Sequence, residues 1–271
     1  MDAPVQAAGT PQEYRSPMPP FDLSRRSLLL SGGAAALGAA GLLTGASPAS
    51  AARPAAAPAV AEPAAAPAAA PAAEPAVTPA AALARLLAGN QRFVTGRACH
   101  PHQSLADLHA LAAGQHPFAV TIGCADSRVP PELLFDQGLG DLFDNRVAGN
   151  IVDDLLLGSI EFAVEEFGSP LIVVLGHERC GAVKATIEAI ESGAGAPGHI
   201  GTIVEALRPI VEPLLDHPGD VIDLAVRANV HAQAAQLTAR SELLAAHVHA
   251  GDLRIVGARY DLDNGRVTLV G

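Results

Sequence analysis

The chain has 271 residues, with 28 Asp and Glu against 17 Lys and Arg, for a formal net charge of −11. That balance argues against a nucleic-acid binder, which carries a basic patch or stripe. Three cysteines are too few, and odd in number, for a disulfide scaffold. Outside the N-terminal region no stretch approaches the roughly 18–20 strongly apolar residues of a membrane span, so a polytopic membrane protein is excluded. Aromatic residues make up 3%, there is no Trp, and alanine swells the 49% apolar fraction. One or two soluble α/β-type domains with an unusual start fit this length.

Residues Ser24-Arg25-Arg26-Ser27-Leu28-Leu29 open a mildly apolar run to about Leu43, and Ala49-Ser50-Ala51 follows as a small-x-small cleavage signature. A basic region, a short apolar region and such a site read as an export signal, and the paired arginines read as the twin-arginine type. Residues 1–51 hold three acids and three arginines, so the whole net charge belongs to residues 52–271. Residues 52–79 carry 15 Ala and 7 Pro. Proline at that frequency blocks a helix, and nothing there buries a core, so this segment reads as an extended, semi-stiff spacer. A single domain of about 190 residues is expected over 80–271.

Within it, Leu83, Leu86 and Leu87 stand at helical spacing and predict an opening helix from Leu83 to Phe93. Phe118 to Ile122 predicts a short buried strand that ends at Gly123-Cys124, and Leu142 to Val147 a weaker one. Leu155 to Phe167 predicts a helix with Glu161, Glu165 and Glu166 on its wet side and Gly168 as its stop. Leu171 to Leu175 is a continuous apolar run of the kind buried on both faces of a parallel sheet. A helix is expected from Gly181 to Ser192, and further helices over 200–216 and 220–246. Leu253 to Ala258 predicts a late strand. Tyr260 to Val267 reads as a strand, an Asn264-Gly265 turn and a return strand. The alternation predicts an α/β fold: an open, mostly parallel sheet flanked by helices.

Both of the most apolar strands end in metal-ligand residues. The first runs into Cys124-Ala125-Asp126-Ser127-Arg128 and the second into His177-Glu178-Arg179-Cys180. In open α/β sheets, sites form at the carboxyl ends of strands, which would bring Cys124, His177 and Cys180 together. Two thiolates and an imidazole favour zinc. Cys180 stands where a helix should begin, so the helix dipole favours its thiolate form. Structural zinc takes four protein ligands, often from two closely spaced pairs, whereas catalytic zinc takes three and keeps a position open. One His-x-x-Cys pair and one distant Cys fit the catalytic pattern. Two other readings stay open: Cys99, although in a polar loop before the first strand, closing a four-ligand site, and a disulfide between Cys124 and Cys180.

With these motifs in place the chain resembles a β-class carbonic anhydrase. The resemblance also runs through Gly89-Asn90-Gln91-Arg92-Phe93, Gly114-Gln115-His116-Pro117, Gly140-Asp141-Leu142-Phe143, Arg146-Val147-Ala148-Gly149-Asn150, Gly176-His177 with Cys180-Gly181-Ala182, and Ala228-Asn229-Val230. It covers most of 83–265 and leaves out leader and spacer. Val147 departs from the family, in which many members have Asn there. A bicarbonate-inhibited branch carries Trp three residues before the first zinc Cys; this chain has Thr121, so that inhibitory site is not expected to be complete.

The resemblance implies one zinc per chain on Cys124, His177 and Cys180, and reversible hydration of carbon dioxide to bicarbonate and a proton. It gives Asp126 the role of accepting a hydrogen bond from the nucleophile and orienting it. Arg128 would hold Asp126 off the metal by a bidentate ion pair. Gln115, in the same or the neighbouring subunit, would donate to the substrate; Gly181 would offer a backbone N–H to bicarbonate, and Val152 would line the apolar side of the pocket. A homodimer or tetramer is implied, with no nucleic-acid partner. The leader adds a transient encounter with the twin-arginine machinery and a destination in the periplasm, the cell envelope or the medium. Two competing functions remain: hydrolysis of carbonyl sulfide or carbon disulfide on the same scaffold, and a zinc-binding envelope module without turnover.

Overall fold

The structure is a computed structural model that describes residues 77–271. The expected leader with Arg25-Arg26 and the expected spacer up to residue 76 lie outside the described residues. Among the described residues no helix is long and apolar enough to cross a membrane.

Helix α1 (Pro79–Val94) begins four residues before the expected Leu83, because Thr78 caps it: its side chain accepts from the Ala81 N–H, and Pro79 takes the first turn. Proline suits that position, where its missing N–H would be unpaired anyway. The last residues assigned to the spacer are thus the start of the domain. α1 packs closely enough that a Cβ on Gly89 would stand 1.7 Å from the Phe135 carbonyl oxygen. A short helix not expected from the hydrophobic pattern, α2 (Leu105–Leu111), is set by a capping box between Ser104 and Asp107 and buries none of its residues.

Five strands form one sheet: β1 (Ala119–Gly123), β2 (Leu142–Arg146), β3 (Leu171–His177), β4 (Arg254–Tyr260) and β5 (Val267–Val270), in the order β2-β1-β3-β4-β5. The first four are parallel, and only β4 and β5 pair antiparallel. The α/β class and mostly parallel sheet therefore stand as expected. The closing hairpin is displaced: β4 continues to Tyr260, which pairs with Val267, and Asp261 to Arg266 form the turn around Gly265 at φ 76°.

The helices are α3 (Pro131–Leu134), α4 (Asp154–Phe167), α5 (Gly181–Ser192), α6 (Ile200–Val211), α7 (Val221–Arg240) and α8 (Glu242–Ala250). Asp153 caps α4, and Gly168 ends it in the left-handed region. The helical stretch expected over 220–246 is broken at Ser241. Its N–H closes α7 on the Leu237 carbonyl, while its hydroxyl accepts from the Leu244 N–H and donates to Glu161 on α4.

β3 shows why its sequence is apolar throughout. Leu171, Val173 and Leu175 pack with α1 on one side, and Ile172 and Val174 pack with α4, α7 and α8 on the other. A third cluster joins α5, α6 and α7 around Cys124 and Cys180. Since β1 and β3 are parallel neighbours, with Gly123 opposite Leu175, their carboxyl ends open side by side.

Candidate metal centre

Cys124 is the first residue beyond β1, His177 the last of β3, and Cys180 the cap residue of α5. Their ligand atoms all lie within 4.8 Å of one another, and all three residues are buried. Arg179, between two of them, takes φ 51°, and its guanidinium forms a bidentate pair with Asp263 at 2.9 and 2.6 Å. The reversal between His177 and Cys180 is thereby tied to the β4–β5 turn.

The two alternatives for the cysteines fall. Cys124 and Cys180 are free thiols, and Cys99 is exposed, outside the cluster, its N–H given to Asp136.

The cluster fits a divalent cation on two counts. The His177 Nδ1 lies 2.9 Å from the Glu178 carbonyl, which takes its N–H, and Nε2 is left buried without a hydrogen-bond partner. Fixing one ring nitrogen on a carbonyl is the usual way a ligand imidazole is oriented. The two sulfurs hydrogen-bond to each other, and this bond shifts them in opposite directions. Cys124 is pulled to about 4, first by the hydrogen bond from Cys180 against the opposing cost of burial, then by His177 and the Gly149 N–H. Cys180 is pushed up by that same bond and by burial, with the Ala182 and Val183 amides opposing. A soft cation relieves both the unpaired nitrogen and the trapped proton.

Asp126 is clamped beside this cluster. Its Oδ1 accepts from the Arg128 N–H and Nε, both at 2.9 Å, and its Oδ2 accepts from Arg128 Nη2 at 2.8 Å. Oδ2 also lies 3.9 Å from the unpartnered His177 Nε2. The Arg128 hydrogen bonds hold Asp126 well below the usual carboxylate range.

Arg146, at the end of β2, fixes the same loop by donating to the Cys124 carbonyl at 3.1 Å and the Asp126 carbonyl at 2.6 Å. In the sequence Arg146 stands out only as part of a motif; its place on a neighbouring strand gives it this role.

The remaining site residues are placed unequally. Gly181 opens α5, so its N–H belongs to the unpaired first turn next to Cys180. Val152 is buried in the cluster that includes residues of α4 and α7, and its neighbour Ile151 packs against the other cluster, the one that contains Cys124, Cys180 and Leu207. The two differ because successive residues of the extended segment after Asn150 point to opposite sides. Gln115 precedes β1 and is exposed, at the opposite end of the strand from Cys124, in a groove with Leu108, Leu111 and Leu139. A role for it in the site of its own subunit is not supported by this placement.

A parallel α/β sheet that delivers a Cys-His-Cys cluster and a clamped carboxylate to neighbouring strand ends defines a metal-site enzyme. The sequence model described as Carbonic anhydrase matches residues 119–267, more than half of the chain. Carbonic anhydrase 2 of Mycobacterium tuberculosis is 48% identical over 186 residues, covering 68% of this chain and 89% of that protein. The carbonic anhydrase of Mycolicibacterium smegmatis is 46% identical over 183 residues, covering 67% and 88%. The solved β-carbonic anhydrase CcaA superposes with a TM-score of 0.55 at 31% identity, covering 69% of this chain and 94% of that one. A β-carbonic anhydrase of Sordaria macrospora gives 0.54 at 26% identity, covering 70% and 96%. The chain belongs to the carbonic anhydrase family, a family of lyases, and within it to the β class.

Proposed function

We propose that this protein hydrates carbon dioxide reversibly with one zinc ion per chain, held by Cys124, His177 and Cys180. The observation that carries the reading is the Arg128-clamped carboxylate of Asp126, 3.9 Å from the unpartnered Nε2 of a buried histidine. Bound there, zinc supplies the Lewis acidity that brings the pKa of a water from about 15.7 toward about 7.

The chain's own groups do the rest. Asp126 Oδ2 accepts the hydrogen bond of the attacking water and turns its lone pair toward carbon dioxide. Arg128 occupies both carboxylate oxygens, keeping Asp126 ionised and away from the water's position. The Gly181 N–H, at the positive end of α5, donates to a bicarbonate oxygen. Ile151 and Ala182 give the apolar wall, with Val152 supporting it from behind. Gln115 reaches the substrate of a second copy, in a homodimer or tetramer; the Sordaria macrospora neighbours are described as tetrameric. Arg25-Arg26 sends the folded enzyme out of the cytoplasm by the twin-arginine route.

The test is hydration by the full chain, followed by stopped flow with and without chelator, with carbonyl sulfide and carbon disulfide run in parallel. Carbon dioxide turnover that follows a zinc content of about one per chain is expected. Zinc binding without hydration would mean a non-catalytic module, and faster turnover of a sulfur analogue would reassign the substrate.

A further inference from the structure

The segment that follows Arg146 carries two consecutive residues in the left-handed region, Gly149 at φ 77° and Asn150 at φ 45°. A Cβ on Gly149 would stand 3.1 Å from Leu207 Cδ1 and 3.2 Å from Ala182 Cβ, so the turn is pressed against α5 and α6. Its Gly149 N–H points at the Cys124 Sγ, 3.4 Å away. Within the turn, the Asn150 N–H donates to the Val147 carbonyl at 2.9 Å, which closes the turn.

A further hold, on its side chains and carbonyl, comes from one face of α7. Asn229 Nδ2 donates to the Gly149 carbonyl at 2.8 Å and to Asn150 Oδ1 at 3.3 Å. Gln233, one turn later, donates from Nε2 to Asn229 Oδ1 at 2.9 Å, and its Oε1 accepts from the Val152 N–H at 2.9 Å. Arg240 closes the row by donating to the Val152 carbonyl at 2.6 Å. Asn229 and Gln233 are each 1% exposed. Buried amides with their hydrogen-bonding groups engaged are rigid, because every alternative rotamer leaves an unsatisfied group.

We propose that Asn229 and Gln233 are positioning residues of the metal centre, acting through the Gly149 amide on the Cys124 sulfur. The proposal rests on the reading of Cys124 as a metal ligand. A hydrogen bond to a ligand thiolate draws electron density from sulfur, so less is given to the metal. With two thiolates already neutralising a divalent ion, that withdrawal keeps the ion electrophilic. The relay also fixes the distance at which Cys124 waits for the metal.

The test uses the full chain loaded with cobalt in place of zinc. The probes are the thiolate-to-cobalt absorption band and the rate of metal loss to a chelator. Asn229→Leu keeps the branched shape and removes the donor; Gln233→Met removes the brace one step further out. Both are expected to move the band to longer wavelength, as a less hydrogen-bonded sulfur requires. Asn229→Leu is expected to weaken metal binding by roughly tenfold or more, the usual effect of losing such an outer partner. Leu237→Ala, a cavity in the same helix, is expected to lower the melting temperature and leave the band in place. If Asn229→Leu does not fold, Gln233→Met carries the test. A parental band and rate in a folded Gln233→Met or Asn229→Leu chain, or an equal band shift in Leu237→Ala, overturns the relay. A parent chain with no thiolate-to-cobalt band overturns the metal assignment, and the relay with it.

Discussion

At the scale of single residues, the pair Asp126–Arg128 concentrates the chemistry in three hydrogen bonds to one carboxylate. Under the proposed zinc reading, a carboxylate without the guanidinium would be free to turn toward the Cys-His-Cys cluster and compete for the position meant for water. Arg128→Ala is therefore expected to keep about one zinc per chain and lose hydration turnover by at least about a hundredfold. Turnover near the parent's would show that the clamp has no such role.

Asp144 behaves in the opposite sense. Burial pushes its carboxyl up to about 7, the Thr121 hydroxyl bond and Arg146 oppose the shift, and Glu132 adds to it. Below about pH 4 both folded and unfolded chains hold this proton, and the group has no effect on stability. Between about 4 and 7 the unfolded chain gives it up while the folded chain keeps it, so stability falls as pH rises. Asp144→Asn keeps an oxygen for Thr121 and removes the charge. It is expected to raise the melting temperature at pH 8 by a few degrees, the effect of roughly 1 kcal/mol in a domain of this size, and to have none at pH 4. A gain at pH 4 equal to that at pH 8 would refute a charge effect.

At the scale of elements, the break at Ser241 lets α8 fold back onto α4, and His247 holds it there. Its Nε2 meets Glu165 on α4 at 2.8 Å, and its Nδ1 meets Asp252 at 3.0 Å, so both nitrogens donate only when the ring is charged. Glu165 first, and then Asp252, raise its pKa against a small cost of burial. The folded value lies above the unfolded one, so this contribution is fully present below about pH 6.5 and is lost as pH rises through the folded value. The pairs are partly exposed and contribute at most about 1 kcal/mol. His247→Gln is expected to melt a few degrees below the parent at pH 6 and level with it at pH 9, checked by thermal unfolding. A constant difference across that range would assign the effect to packing.

At the scale of the whole molecule, the surface near β2 is apolar for a single chain. β2 is an edge strand, Leu108 and Leu139 are exposed in the groove that holds Gln115, and Leu105, Leu133, Leu155 and Phe162 are exposed as well. Such a surface marks an interaction site. Sedimentation is expected to give a dimer or tetramer, and Leu108→Glu with Leu139→Glu to give a zinc-loaded monomer of reduced turnover. Full turnover in that monomer would separate Gln115 from the reaction. The proposed leader makes a second prediction at this scale. Two nearby thiols outside the cytoplasm tend toward a disulfide, and metal loaded before export protects both. Changing Arg25 and Arg26 to Lys is expected to strand zinc-loaded, active enzyme inside the cell; efficient export of that double variant would refute the twin-arginine route.

The local chemistry was legible in the sequence. Continuous apolar runs mark β1 and β3 because strands buried on both faces tolerate no polar alternation, and Cys124, His177 and Cys180 stand at their ends, where parallel strands deliver side chains. Asp126 and Arg128 were legible for the same reason, being two and four residues from a ligand on one short loop. Where caps and side-chain bonds decide an element, pattern gave less: α2 rests on a Ser104–Asp107 box without burying anything, and the α7–α8 break rests on one serine reaching α4. Tertiary structure alone decided the outer arrangement. Ile151 and Val152 fall into different apolar clusters because the backbone leaves a left-handed turn just before them, and Gln115 stands at the far end of its strand because β1 points its carboxyl end at the Cys-His-Cys cluster. Asn229 and Gln233 reach the Cys124 loop only because α7 crosses behind it, about eighty residues further along the chain, a contact set by helix packing on the sheet and carried by no local pattern.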